Sequence, residues 1–97
     1  MDFHNKETDE LVKAFLAVKT EEECYKFLED VCTVKEILDM SQRLHVAKML
    51  AEKANYQKIA DTTKASTATI SRINKCLMYG EGYKLIVERL KADKNGN

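Results

Sequence analysis

Apolar residues recur along this chain every three or four positions rather than every second one, a spacing that predicts helices. Leu11, Val12, Phe15 and Leu16 line one side of a first helix that Thr8, with Asp9 and Glu10, would open and that ends near Lys19. "TEEE" then offers Thr20 as an N-cap with Glu23 three residues on, a capping box, ahead of the stripe Cys24, Phe27, Leu28 and Val31. "TVKE" repeats the device with Thr33 and Glu36 and starts the longest helix, about residues 34–53, with Ile37, Met40, Leu44, Ala47 and Ala51 as its stripe. After Lys53 the pattern shortens. Asn55 caps a two-turn helix, "YQKIADTT", and Ser66 caps another that runs to about Leu77. "YGEGY" breaks the chain at Gly80 and Gly82 before a last amphipathic helix, "YKLIVERLK", and residues 93–97 read as a disordered tail. The expectation is an all-α fold in a single helical domain over residues 1–92.

One of these helices is chemically odd. "KASTATISRINKCL", residues 64–77, carries four Ser/Thr residues, and Thr67, Thr69, Ile70 and Ile73 are β-branched. Such residues weaken an isolated helix by a few tenths of a kcal/mol each, roughly, because they lose rotamer freedom or compete for backbone hydrogen bonds. Only one edge, Ile70, Ile73 and Leu77, is apolar. Taken with the preceding helix, Ile59, Ala60, Ala65, Ile70 and Ile73 fill the angle between two helices joined by a tight turn. That is the spacing of a helix-turn-helix over about 56–77, whose second helix enters the DNA major groove. The slim outer side then makes sense: a groove about 12 Å wide admits short side chains at the leading end of a helix. Ser66, Thr67, Ala68 and Ser71 would meet base edges or, through helix N-terminal amides, a phosphate. Arg72 and Lys75 would neutralise phosphates, and Gln57 and Lys58 would clamp the backbone from the preceding helix. Lys64 stands where a glycine is usual, so the turn requires a left-handed lysine at a cost of about 1 kcal/mol. The same pair of helices also serves purely in protein contacts, so a helical interaction module without DNA binding is the alternative.

Charge favours the DNA reading. The formal net charge of the 97 residues is zero, but it is unevenly spread. Residues 1–30 hold four Lys against nine Asp/Glu, a net of −5, whereas residues 55–79 set Lys58, Lys64, Arg72 and Lys75 against Asp61 alone, a net of +3. A phosphate-binding footprint needs only local positive charge. Three cysteines without CxxC spacing, Cys24, Cys32 and Cys76, read as buried or half-buried thiols, and with His4 and His45 they do not supply a metal site. No cofactor is expected. Nothing in the chain resembles a nucleophile elbow, a P-loop or a clustered His/carboxylate set, so it is not read as an enzyme. No apolar run is long enough to span a bilayer and the acidic N-terminus lacks a signal core, which predicts a cytoplasmic protein without membrane contact. Narrow apolar faces on short helices leave a thin core, and the apolar stripe of the first helix would be more stable buried against a second subunit, so a homodimer is expected.

"TVKEILDMSQRLHVAKML" followed by "YQKIADTTKASTATISRINKCLMYGEGY" resembles the Trp repressor-like family, and closely its YerC/YecD branch, over about Leu11 to Leu90. "ASTATISR" is the most specific part. The resemblance implies an intertwined dimer and a bacterial regulator that binds double-stranded DNA through the helix-turn-helix. In the Trp repressor that gives the family its name, two arginines sandwich a tryptophan and a threonine helps hold it; the resemblance matches Arg43, Arg72 and Thr33 to them. Two positions depart. A glycine that admits the flat ring is Ile73 here, and a serine that helps with the ligand amine is Cys76, whose thiol is a poor hydroxyl substitute. Thr33, Arg43, Arg72 and Cys76 therefore mark a candidate effector pocket for an unknown small molecule, with tryptophan not expected as the effector.

Overall fold

A computed structural model describes residues 2–96, with side chains through residue 93. Among these residues there are six helices and no strand: α1 (Lys6–Ala17), α2 (Glu21–Val31), α3 (Val34–Ala51), α4 (Tyr56–Thr63), α5 (Thr67–Tyr79) and α6 (Gly82–Gly96). The all-α class is as the periodicity predicts. The chain divides into two compact units, one up to Ile37 and one from Leu38 onward, where the periodicity suggests a single domain over residues 1–92. α6 extends through residues 93–96, into the segment read as a tail, while Asn97 lies outside the described residues.

In the first unit the helix starts are set by short polar side chains that take up orphan amides. α1 begins earlier than Thr8. Asn5 is its N-cap, accepting from the Thr8 N–H at 2.9 Å, and the Thr8 hydroxyl accepts from the Asn5 N–H at 2.9 Å. Thr8 is thus the inner partner of a capping box that Asn5 opens, because either residue supplies a suitable oxygen. Thr20 caps α2 as expected, accepting from Glu23 N–H at 3.1 Å, but the Glu23 carboxylate accepts from the Lys19 N–H rather than from Thr20. Neither α1 nor α2 buries a residue; Phe15 and Phe27 meet edge to face, ring centres 5.1 Å apart.

The box at the start of α3 is complete. The Thr33 hydroxyl accepts from Glu36 N–H at 3.1 Å, and the Glu36 carboxylate accepts from Thr33 N–H at 2.8 Å. The bond from the Thr33 amide first, and its hydroxyl second, hold the Glu36 carboxyl below its ordinary value. A depressed folded pKa contributes stability above the unfolded pKa and loses it as pH falls through the lower, folded value. Glu36→Gln keeps an acceptor but cannot titrate, so the variant is expected to show a shallower acid limb in thermal midpoint against pH. Parallel acid limbs for the two proteins would remove the carboxylate from this role.

The second unit holds the core: Val46, Ala47, Met49, Ile59, Ala65, Ile70 and Ile73 are buried, with Leu50, Ala54, Ala60, Leu77, Tyr83 and Val87 packed against them. The α3 stripe differs from the expected one. Of its five residues only Ala47 is buried, while Met40 and Ala51 are exposed and the buried face runs through Val46 and Met49. α3 is apolar on more than one side, and which side is inward depends on where α4 and α5 fold back. α3 also stops short of Lys53. Lys53 is left-handed (φ 68°), its N–H bonds Leu50 O and the Ala54 N–H bonds Met49 O, the paired bonds of a Schellman stop.

Candidate nucleic-acid interface

α4 and α5 pack on each other and form the helix-turn-helix. Asn55 caps α4 by accepting from the Lys58 N–H at 2.9 Å, and Ser66 caps α5 by accepting from the Thr69 N–H at 3.1 Å. Between them Lys64 adopts φ 64°, ψ 13°, and its N–H bonds Ala60 O at 2.9 Å. This is the left-handed lysine that the turn requires. Lys64→Gly is expected to raise stability by about 1 kcal/mol, since glycine has no Cβ to crowd that conformation. Lys58→Gly, inside α4, should lower it by a similar amount, about 1 kcal/mol. Urea midpoints of the two variants moving the same way would contradict the assignment of the turn.

A second anchor of the turn was not evident from the sequence. The Thr63 hydroxyl donates to Ile59 O at 2.8 Å and accepts from the Ala65 N–H at 3.2 Å. The Thr63 carbonyl accepts from Gln42 Nε2 of α3 at 3.0 Å. Threonine near a helix end is a weak signal by itself, and nothing in the spacing links position 42 to position 63.

Ile59 and Ile70 are fully enclosed and Ile73 is 3% exposed, so the inner edge of α5 is the predicted one. On the other side Ser66, Thr67, Ala68, Arg72 and Lys75 are exposed, and Ser71 is half-buried. The Ser66 hydroxyl is committed to its capping role and to Thr69 Oγ1 at 3.0 Å, whereas the start of a helix leaves the Thr67 and Ala68 amides without intrahelical acceptors. Lys58, Lys64, Arg72 and Lys75 are exposed and form no ion pair among the described residues. Gln57 is exposed but its side-chain amide donates to Asp61 at 3.0 Å on its own helix. The end of α5 is fixed by close approach: the Gly80 N–H bonds Cys76 O at 2.8 Å, and a Cβ at Gly80 would lie 2.8 Å from that same oxygen.

The four residues named for an effector are placed as follows. Thr33 spends its hydroxyl on the α3 capping box, and Arg43 and Arg72 are exposed. Cys76 is exposed, not the half-buried thiol expected, and with Leu44, Gly80, Gly82, Tyr83 and Ile86 it lines an open apolar cleft of about 540 Å³. Cys24 and Cys32 are half-buried and free. Ile73 occupies the core.

Two helices joined by a left-handed turn, with aliphatics inside and slim, basic residues outside, define a helix-turn-helix protein. The Trp repressor protein family matches residues 6–91, and the chain belongs to that family of helical DNA-binding regulators. It is 49% identical over 87 residues to YerC of Bacillus subtilis strain 168, covering 89% of this chain and 84% of the relative. Among solved structures it is similar to a TrpR-like protein from Eubacterium eligens ATCC 27750, with a TM-score of 0.86, 51% identity and 90% and 91% of the two chains covered. A candidate Trp repressor from Staphylococcus aureus gives a TM-score of 0.85 at 44% identity, covering 91% and 89%. Among the described residues no helix is long and apolar enough to cross a membrane.

Proposed function

We propose that this chain is a sequence-specific transcriptional regulator that reads a pseudo-palindromic DNA site as a homodimer and does not respond to tryptophan. The observation that carries the reading is the division of α5: Ile70 and Ile73 are locked in the core while Thr67, Ala68, Arg72 and Lys75 are left outside. A helix held by one edge and slim along the other suits insertion into the major groove, and two copies would address half-sites about 34 Å apart. Dimerisation is supported by the apolar surface of the first unit. Leu16 is 79% exposed and Val34 73%, with Leu11, Val12 and Phe15 also uncovered, more apolar surface than a solitary helix pair leaves in water without a partner. The proposal against tryptophan rests on Ile73, whose side chain fills interior space at the position where the resemblance to the Trp repressor implies a glycine.

The test is selection of bound oligonucleotides from a random pool by the purified full chain, with and without L-tryptophan. An enriched motif with two-fold symmetry, unchanged by the amino acid, is the expected result. No enrichment over the input pool at low salt would overturn DNA reading and favour a protein-contact role for the same two helices. Enrichment that requires L-tryptophan would overturn the effector assignment alone.

A further inference from the structure

Gln42 stands on the buried side of α3, four and seven residues before the core residues Val46 and Met49, and is itself half-buried. Its position in that row would suit an aliphatic residue. Instead its amide spans from α3 to the Thr63 carbonyl at 3.0 Å, across 21 residues of sequence. Thr63 is the last residue of α4, where a helix leaves carbonyls without intrahelical donors. The next residue, Lys64, is the strained one, and Ala65, the first residue after the turn, is buried and its own amide bonds Thr63 Oγ1. One side chain of α3 therefore grips the point at which the chain turns from α4 into α5.

We infer that Gln42 is a positioning residue for DNA reading: its amide fixes the α4–α5 turn against α3 and so sets the direction in which Thr67 and its neighbours are presented. Apolar contacts between α3 and the two helices resist separation, but they are non-directional and tolerate small rotations. A hydrogen bond with its donor on one element and its acceptor on the other fixes both distance and angle. Base-edge contacts depend on placement to a fraction of an ångström, whereas attraction to phosphates does not. Loss of the tether should therefore reduce discrimination between sequences far more than general affinity for DNA.

This inference rests on the regulator reading. The experiment compares the full chain with Gln42→Leu, which keeps an apolar stem but has no donor, and with Gln42→Glu, which sets a carboxylate against the Thr63 carbonyl. Affinity for the selected site and for random duplex is measured at one salt concentration and again across a salt series, alongside the thermal midpoint and amide exchange at Lys64 and Ala65. For Gln42→Leu the selected site is expected to bind about tenfold more weakly and random duplex within about twofold of the parent. The salt slope should be unchanged, and exchange at Ala65 faster. Gln42→Glu should reproduce the loss of discrimination. Equal losses on both DNAs in step with a lowered midpoint would mark a merely structural role and overturn the inference. So would a variant that keeps full discrimination. If the parent chain binds no DNA the regulator reading falls and takes this inference with it; if the parent discriminates and the variants do too, only the inference falls.

Discussion

Ile70→Ala is expected to destabilise the protein by about 2–5 kcal/mol, the range for removing a large buried aliphatic whose surroundings relax only in part. Ile70 is fully enclosed, and the core it belongs to contains seven buried residues, three of them on α3, one on α4, two on α5 and Ala65 between them. A cavity there weakens the packing that holds α5 to its neighbours. Against a domain stability of about 5–15 kcal/mol the loss is a large share of the whole. Thr67→Ala, on the same helix but exposed, should change stability by only about 0.5 kcal/mol or less. Chemical denaturation at one fixed protein concentration distinguishes them, since linked association would otherwise shift both midpoints. Two variants of similar stability would mean that Ile70 does not anchor α5.

On the DNA side the same helix should divide its labour. Arg72→Ala with Lys75→Ala removes two exposed cations that no carboxylate neutralises among the described residues. Binding to every sequence should weaken together, and the slope of log K against log salt should become shallower by about 0.9 for each phosphate left without its cation. Thr67→Val keeps the shape and removes the hydroxyl at the leading end. That change should leave the salt slope unaltered and alter discrimination at one base pair by about 0.5–1.5 kcal/mol, the worth of a single neutral hydrogen bond. Repeating the oligonucleotide selection with each variant reads the first effect as a uniform loss and the second as an altered motif. If the charged and hydroxyl variants behaved alike, the assignment of phosphate and base contacts on α5 would be wrong. Ser71 is the less clean probe, because it is half-buried and its replacement also perturbs packing.

Both predictions draw on features legible in the amino-acid sequence. Asn55, Ser66, Thr20 and Thr33 announce their helices because capping is local, a side chain reaching an amide three residues away. Ile59, Ala65, Ile70 and Ile73 announce the helix-turn-helix because its core is built from neighbours in sequence, and the left-handed Lys64 is expected because it stands at the turn position usually held by glycine. Local rules also misplace things where two answers are nearly equal, as when Asn5 rather than Thr8 opens α1.

What the sequence determined by itself, then, is the set of helices, most of their starts, and which edge of α5 is apolar, since each depends on residues within a turn or two of one another. Tertiary structure alone decided that α3 turns Val46 and Met49 inward in place of Met40 and Ala51, that Cys76 lies open on an apolar cleft, and that Gln42 reaches the carbonyl of Thr63. An apolar pattern with several possible faces does not choose among them. The choice comes only when distant helices compete to bury the same surface, and a hydrogen bond across 21 residues leaves no trace in local spacing.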